Sequence, residues 1–406
     1  MSLQYPSRPL PIAAFNALFK GFKHWPALDA KTLMQAAIRK ARFEDFGDKG
    51  FIEGLTRLTD DIDAHAQLHP MGRIMARQHL TGDLVRRLNV TAWRKHHPEV
   101  AKQRIIKPVF IIGLPRTGTT LLFNLLAQDP ANRTPLAWEV DSPCPPANSA
   151  TYYTDPRIKA AQQQFDQLRK LCPELFAIHE MAAHLPQECV ALTGMDGMSV
   201  QFSTLYDVPN YQHWIDQQSW IRPYAFHKQF LQHLQSGHAA TRWVLKSPGN
   251  LAPLNDILTV YPDARIIHTH RTPAEAMPSL ASLNWTFRGL YSDRLDAHHI
   301  GRQVVDLWHE HLNRAMAARA DHAHEPERFF DMQYREFVTD PLAMIERIYA
   351  HFDIELTGIA HQRMKSFMRA NPQGKFGRHR YELEDFGLNR DELNARFAPY
   401  CQRFGV

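Results

Sequence analysis

Apolar positions recur at three- and four-residue spacing through the first quarter of the chain. Asp29 is placed to cap a helix carrying Leu33, Met34, Ala37 and Ile38. A second helix begins near Phe51 with Ile52, Leu55 and Leu58, and a third near Pro70 with Ile74, Met75, Leu80, Leu84 and Leu88. Residues 1–100 read as a helical cap, packed on the rest of the chain or on a second copy, which leaves a homo-oligomer open. Beyond residue 105 the pattern changes. Short apolar runs at 109–112, 242–245 and 264–270 and a short strand at 328–334 alternate with helical periodicity after Thr120, Leu254, Pro273, Ile300 and Asp340. That alternation predicts an α/β fold with a parallel sheet covered by helices on both faces. Residues 155–235 form a helical insertion expected to shape a pocket, residues 371–381 a basic loop, and about 389–404 a closing helix.

The stretch 106–129, IKPVFIIGLPRTGTTLLFNLLAQD, carries the densest chemistry. A buried strand, a tight glycine-bearing loop and a helix start converge backbone amides and the helix dipole on an anion. Gly113 and Gly118 match the phosphate-loop spacing G-x-x-x-x-G-K-[ST], but Thr119 stands at the lysine position and Arg116 is the cation inside the loop. A nucleoside triphosphatase lacking that lysine loses its main contact to the terminal phosphates. The loop therefore points to an anion cradle and away from ordinary ATP or GTP hydrolysis.

The 406 residues suffice for one large or two ordinary domains, and an apolar content of 44% suits a globular protein. A net charge of +5, with no dominant Lys/Arg block, permits an anionic substrate and argues against nucleic acid. Cys144, Cys172, Cys189 and Cys401 form no C-x-x-C pair, which suits a reducing cytoplasm. The N-terminus lacks the apolar stretch of a signal peptide, and the apolar runs are too short to span a membrane. The 23 histidines are scattered. His268 and His270 share a strand face, but no cysteine or carboxylate lies at ligand spacing around them, so no metal is expected.

Two further strand ends carry cations, Lys246 in WVLKSP and Arg271 in RIIHTHRTPAEAMPS. Ligands gather at the carboxyl ends of strands in open α/β sheets. Together with GLPRTGTT, these segments resemble the sulfotransferase superfamily, most closely its bacterial branch, over roughly residues 105–380. The resemblance implies a P-loop-like sheet and transfer of a sulfuryl group from 3′-phosphoadenosine 5′-phosphosulfate (PAPS) to a hydroxyl or amine of a small-molecule acceptor. It implies that Arg116, Thr117, Gly118, Thr119 and Thr120 cradle the 5′-phosphosulfate and that Arg271 and Ser279 hold the 3′-phosphate. Lys246 would reach the bridging oxygen, Tyr334 in a Y-x-[DE]-[LMF] turn the adenosine, and Lys375, Gly377 and Arg378 would close over the 3′-phosphate.

A general base must take the acceptor's proton. His179, His184 and Glu188 are available, and Glu188, the second acidic position of a Pro-Glu-Glu motif in related enzymes, comes first, with His184 next. By itself Glu188 also suits a helix start after Pro186. This chain departs from the pattern at Gln187, at Thr272 in the H-R-D-P segment, and at Asn250, where many relatives carry histidine. A phosphoryl-transferring kinase and an inactive nucleotide-binding scaffold are the competing readings; Thr119 weighs against the first and Asn250 favours the second.

Overall fold

The apolar run at 109–112 forms β1 (Val109–Gly113), buried at every position. It lies at the centre of a five-stranded sheet with β2 (Asn132–Arg133), β3 (Arg242–Lys246), β4 (Arg265–His270) and β5 (Phe329–Gln333). The order is β2-β3-β1-β4-β5 and every pairing is parallel. The computed structural model describes residues 8–22, 24–178, 180–371 and 382–406.

The pleat divides β1 between two cores. Val109 and Ile111 pack with Val244, Ile267 and Met332 on one face, while Phe110 and Ile112 join Leu245 and Ile266 on the other. Alternation along the strand puts successive side chains on opposite faces. Each buried Val, Ile or Phe stabilises by about 1.5–3 kcal/mol, so burying both faces favours a central parallel strand over an edge one.

Helices α1 (Leu10–Leu18), α2 (Ala30–Ala41), α3 (Phe51–His65) and α4 (Pro70–His96) precede the sheet. Asp29 caps α2 by accepting from the Thr32 amide at 2.9 Å. Leu33, Leu58, Leu84 and Leu88 belong to the same core as Phe110 and Ile112, so the packing runs unbroken across residue 100. Helix α5 (Thr119–Leu126) follows β1, and α6 (Ala137–Asp141), α7 (Pro156–Leu171), α8 (Pro173–Ile178), α9 (Cys189–Gly194), α10 (Gln201–Leu205), α11 (Pro209–Asp216) and α12 (Ile221–Gly237) separate β2 from β3. Helices α13 (Leu254–Val260), α14 (Pro273–Gly289) and α15 (Ala297–Asp321) connect the remaining strands, and α16 (Tyr334–Thr339), α17 (Pro341–His351), α18 (Gly358–Ala370) and α19 (Arg390–Phe404) end the chain.

Five elements escape the sequence pattern, β2, α1, α6, α16 and α18. β2 has two residues, too few for a period, and pairs with β3 through Asn132 and Arg133. Helices α1, α6 and α18 were not read as elements. Tyr334 opens α16 instead of sitting in a turn. Among the described residues, no helix is long and apolar enough to cross a membrane.

Candidate functional site

β1 ends where β4 approaches closely. A Cβ on Gly113, at φ +141°, would lie 2.1 Å from Thr269 Oγ1 and 2.6 Å from its carbonyl oxygen, so only glycine fits. The backbone then enters the left-handed region at Arg116 (φ 71°) and Gly118 (φ 85°), which turns the chain into α5. No side chain caps α5 and no carboxylate lies in its first turn. Its leading amides and positive dipole end are therefore left for an anion in the loop's concavity. The Thr117 hydroxyl donates to the Leu114 carbonyl at 2.6 Å and shares a 2.5 Å hydrogen bond with Thr269 Oγ1. This fastens the loop to β4 and leaves Thr117 its backbone amide as the group for a ligand. Thr119 is buried, whereas Arg116 and Thr120 are exposed.

Arg271, just past β4, is tied to this loop. Its Nη1 donates to the Arg116 carbonyl at 2.8 Å, its Nε to Glu275 Oε2 at 3.0 Å, and its guanidinium lies 4.5 Å from the centroid of the Tyr334 ring. Burial opposes ionisation of Glu275, but Arg271 and Arg335 hold its carboxyl below the ordinary range. The Tyr334 and Phe337 rings of α16 pack against Gly118, 3.3 and 3.0 Å from where its Cβ would be. Arg116, Gly118, Arg271 and Tyr334 thus form one cluster at the carboxyl end of β1 and β4. Ser279 lies two turns into α14 and is buried. Lys375, Gly377 and Arg378 lie outside the described residues.

Lys246, the last residue of β3, is buried with its side chain 4% exposed. Its ammonium pairs with the Glu188 carboxylate and lies 5.9 Å from the Phe123 ring centroid of α5. Glu188 occupies the N-cap position of α9, yet its side chain makes no capping hydrogen bond. Pairing with Lys246 thus prevails over the helix-start role that residue spacing allows. His184 is exposed, on a stretch whose Ala183 and Leu185 carbonyls accept from Trp138 and Ala137. His179 lies outside the described residues. Asn250 is buried below the Lys246 turn. Its Oδ1 accepts from the Tyr224 hydroxyl at 2.6 Å and its Nδ2 points to Cys189 Sγ at 3.7 Å. Burial pushes the Cys189 thiol up to about 12, so this neighbour of Glu188 adds no charge.

The geometry agrees with the comparisons. A model described as "Sulfotransferase family" matches residues 108–358. A solved structure, sulfotransferase STF1 from Mycobacterium tuberculosis H37Rv, is 33% identical, with 91% of this chain and 98% of that one covered and a TM-score of 0.83. The chain belongs to the sulfotransferase family. Sulfotransferase STF9 from Mycobacterium avium aligns at 31% identity over 94% of this chain and 98% of its own, with a TM-score of 0.85. The omega-hydroxy-beta-dihydromenaquinone-9 sulfotransferase Stf3, from Mycobacterium bovis and from Mycobacterium tuberculosis, is 25% identical over 309 residues, 73% of this chain and 75% of each relative.

This sulfotransferase also places a carboxylate where spacing showed none. Asp331 of β5 pairs in register with His268 and lies 2.8 Å from His270 Nε2. His268, His270 and Asp331 offer ligand atoms within 4.8 Å of one another. However, Asp331 is gripped by Arg319 at 2.7 and 3.0 Å, and His270 Nδ1 is 2.7 Å from the Tyr400 hydroxyl. Burial opposes ionisation of Asp331, but His270 and Arg319 hold its carboxyl far below the ordinary range. His270, Asp331, Arg319 and Tyr400 thus form a hydrogen-bonded brace next to Arg271, whereas neither ring nitrogen of His268 has a hydrogen-bond partner among the described residues.

A cavity of about 300 Å³ lies elsewhere, lined by Phe46, Arg87, Asp196, Arg222 and Phe226 among others. No residue of the anion loop lines it, and Arg87 is already held by Asp196 at 2.7 Å between the Phe51 and Phe226 rings. It belongs to the packing of α4 on α12. Glu275 and Thr269, which orient Arg271 and the loop, were missed in the sequence. The i,i+4 spacing of Arg271 and Glu275 on a helix start was the available signal for the first.

Proposed function

We propose that this sulfotransferase moves the sulfuryl group of PAPS to a hydroxyl or amine of a small-molecule acceptor by in-line displacement, without a metal. The loop from Arg116 to Thr120 and the start of α5 hold the 5′-phosphosulfate, Arg271 and Ser279 the 3′-phosphate, and Tyr334 the adenosine side. The acceptor oxygen or nitrogen forms its bond to sulfur as the bond from sulfur to the bridging oxygen breaks. The electron pair stays on the departing 5′-phosphate of adenosine 3′,5′-bisphosphate. Lys246 stabilises charge growing on that bridging oxygen, and Glu188 takes the acceptor's proton. His184, exposed, is second choice for that role.

The observation that carries this reading is the Lys246–Glu188 pair. A buried cation and a carboxylate neutralise each other at the end of β3, beside α5. An anionic phosphosulfate draws the ammonium toward itself, and the carboxylate so released has an unshared proton-accepting site. A fixed donor aimed at developing charge is worth about 3–4 kcal/mol of barrier. The sulfuryl group carries less charge than a terminal phosphoryl group, which fits Thr119 at the usual lysine position.

The Stf3 relatives carry the name of a hydroxylated menaquinone derivative, so apolar alcohols come first among acceptors to screen. The test has two arms. Calorimetry should show adenosine 3′,5′-bisphosphate binding without metal, more tightly than Mg-ATP. Radiolabelled PAPS with a panel of alcohols, phenols and amines should yield a sulfated product. A preference for Mg-ATP overturns the donor assignment, and nucleotide binding without turnover on any acceptor favours the scaffold reading.

A further inference from the structure

Helix α1 is built inside out. Its single polar side chain, Asn16, is buried and accepts from the Met71 amide at 2.9 Å. Its apolar residues Leu10, Pro11, Ala13, Ala14, Ala17 and Leu18 are exposed. At about 100° per residue these six fall on one arc of about 160°, with Ile12, Phe15 and Asn16 on the other side. Leu10 is 85% and Leu18 76% exposed, and the chain just beyond adds Phe22 at 60% and Trp25 at 49%. The helix is nonetheless anchored. Arg8 before it pairs with Asp293 and donates to the Gly289 and Ser292 carbonyls at 2.8 and 3.2 Å. Polar anchors inward and a continuous apolar face outward is the reverse of what water selects.

We infer that this face docks the protein on an anionic lipid surface. Charge selects the occupant. No Asp or Glu precedes Asp29, while Lys20 and Lys23 follow the helix directly, with Phe22 and Trp25 interleaved. Apolar residues on one side, cations at the flank and aromatic side chains at the boundary form the pattern of a helix lying in the headgroup plane. A second copy of the chain fits less well. The nine residues of α1 make a strip about 14 Å long and 10 Å wide, a footprint far below the roughly 800 Å² per partner of a stable interface.

The full-length protein is sedimented with vesicles of phosphatidylcholine alone and of phosphatidylcholine with phosphatidylglycerol. Binding is expected to the anionic vesicles and to weaken as salt rises. Leu18→Glu should lower the partition coefficient at least about tenfold, and Lys20→Glu several-fold, with unchanged melting temperatures because both side chains are exposed. A wild-type protein that stays in the supernatant with anionic vesicles overturns the inference. So does Leu18→Glu binding as well as wild type. Light scattering supplies the remaining arm: a wild-type dimer that Leu18→Glu turns into a monomer, with no vesicle binding by either, assigns the face to a second copy.

Discussion

Arg271→Ala separates recognition of the two ends of the donor. Of the five guanidinium N–H groups, one is spent on Glu275 and one on the Arg116 carbonyl, which leaves three without a partner among the described residues. A charge-assisted hydrogen bond to phosphate contributes about 1.5–3 kcal/mol, or roughly 10- to 150-fold in affinity. The same substitution frees the Arg116 carbonyl and loosens the 5′ cradle. That indirect loss is at most one hydrogen bond from a charged donor, about 1.5–3 kcal/mol, and it falls equally on both nucleotides. Calorimetry on the variant should show adenosine 3′,5′-bisphosphate weakened roughly 10- to 150-fold more than 5′-AMP, because the 5′ loss is common to both. The Arg271 side chain is 24% exposed and its contacts to Glu275, the Tyr334 face and the Arg116 carbonyl are confined to the loop cluster, so the fold survives. Equal losses for the two nucleotides would place the 3′-phosphate elsewhere and reduce Arg271 to a loop tie.

Three more outcomes follow from the site and the core. Lys246→Met should lower kcat about a hundred- to a thousandfold. The stability lost by stranding Glu188 should return in Lys246→Met/Glu188→Gln while the rate does not; full activity in either variant removes Lys246 from the reaction. Glu188→Gln should slow turnover at least about a hundredfold and abolish the acid limb of the pH–rate profile, and a rate within a few-fold of wild type excludes it as base. Burial depresses His69 and His233 to about 4 and His227 to about 3. The unfolded chain, with histidines near 6.5, binds more protons below that pH. Stability is then fully present above about pH 6.5 and falls on acidification, by about 2 kcal/mol per histidine at about pH 5. Denaturant titrations at the two pH values check this, and stability equal at both refutes it.

Much of the framework was legible because period and punctuation were unambiguous. The run at 109–112 between Pro108 and Gly113 could only be a buried strand, and Asp29 capped its helix as read. The sheet's parallel sense followed from alternation of strands and helices. β2 was not legible because two residues carry no period. Helix α1 was not legible because its apolar face points outward, so amphipathic reasoning assigns it no core. The loop cluster was legible as spacing, but its fastening through Thr269 and Glu275 depends on strand pairing that spacing does not reveal.

Glu188 and Asn250 illustrate the harder limit. Glu188 at a helix start is an ordinary cap by spacing, and only a partner 58 positions away makes it otherwise. Asn250 stands where many relatives carry histidine, and in isolation it suggested a lost base. Its amide is instead engaged below the site by Tyr224 and Cys189. It links the turn after Lys246 to the start of α9, so both members of the Lys246–Glu188 pair are positioned from beneath. An asparagine takes no proton at neutral pH, whereas a carboxylate has lone pairs that can accept one, and Glu188 is 16% exposed and paired with Lys246. Within the proposed mechanism, replacing histidine by asparagine therefore moves the demand for a base onto Glu188 and does not by itself imply an inactive protein.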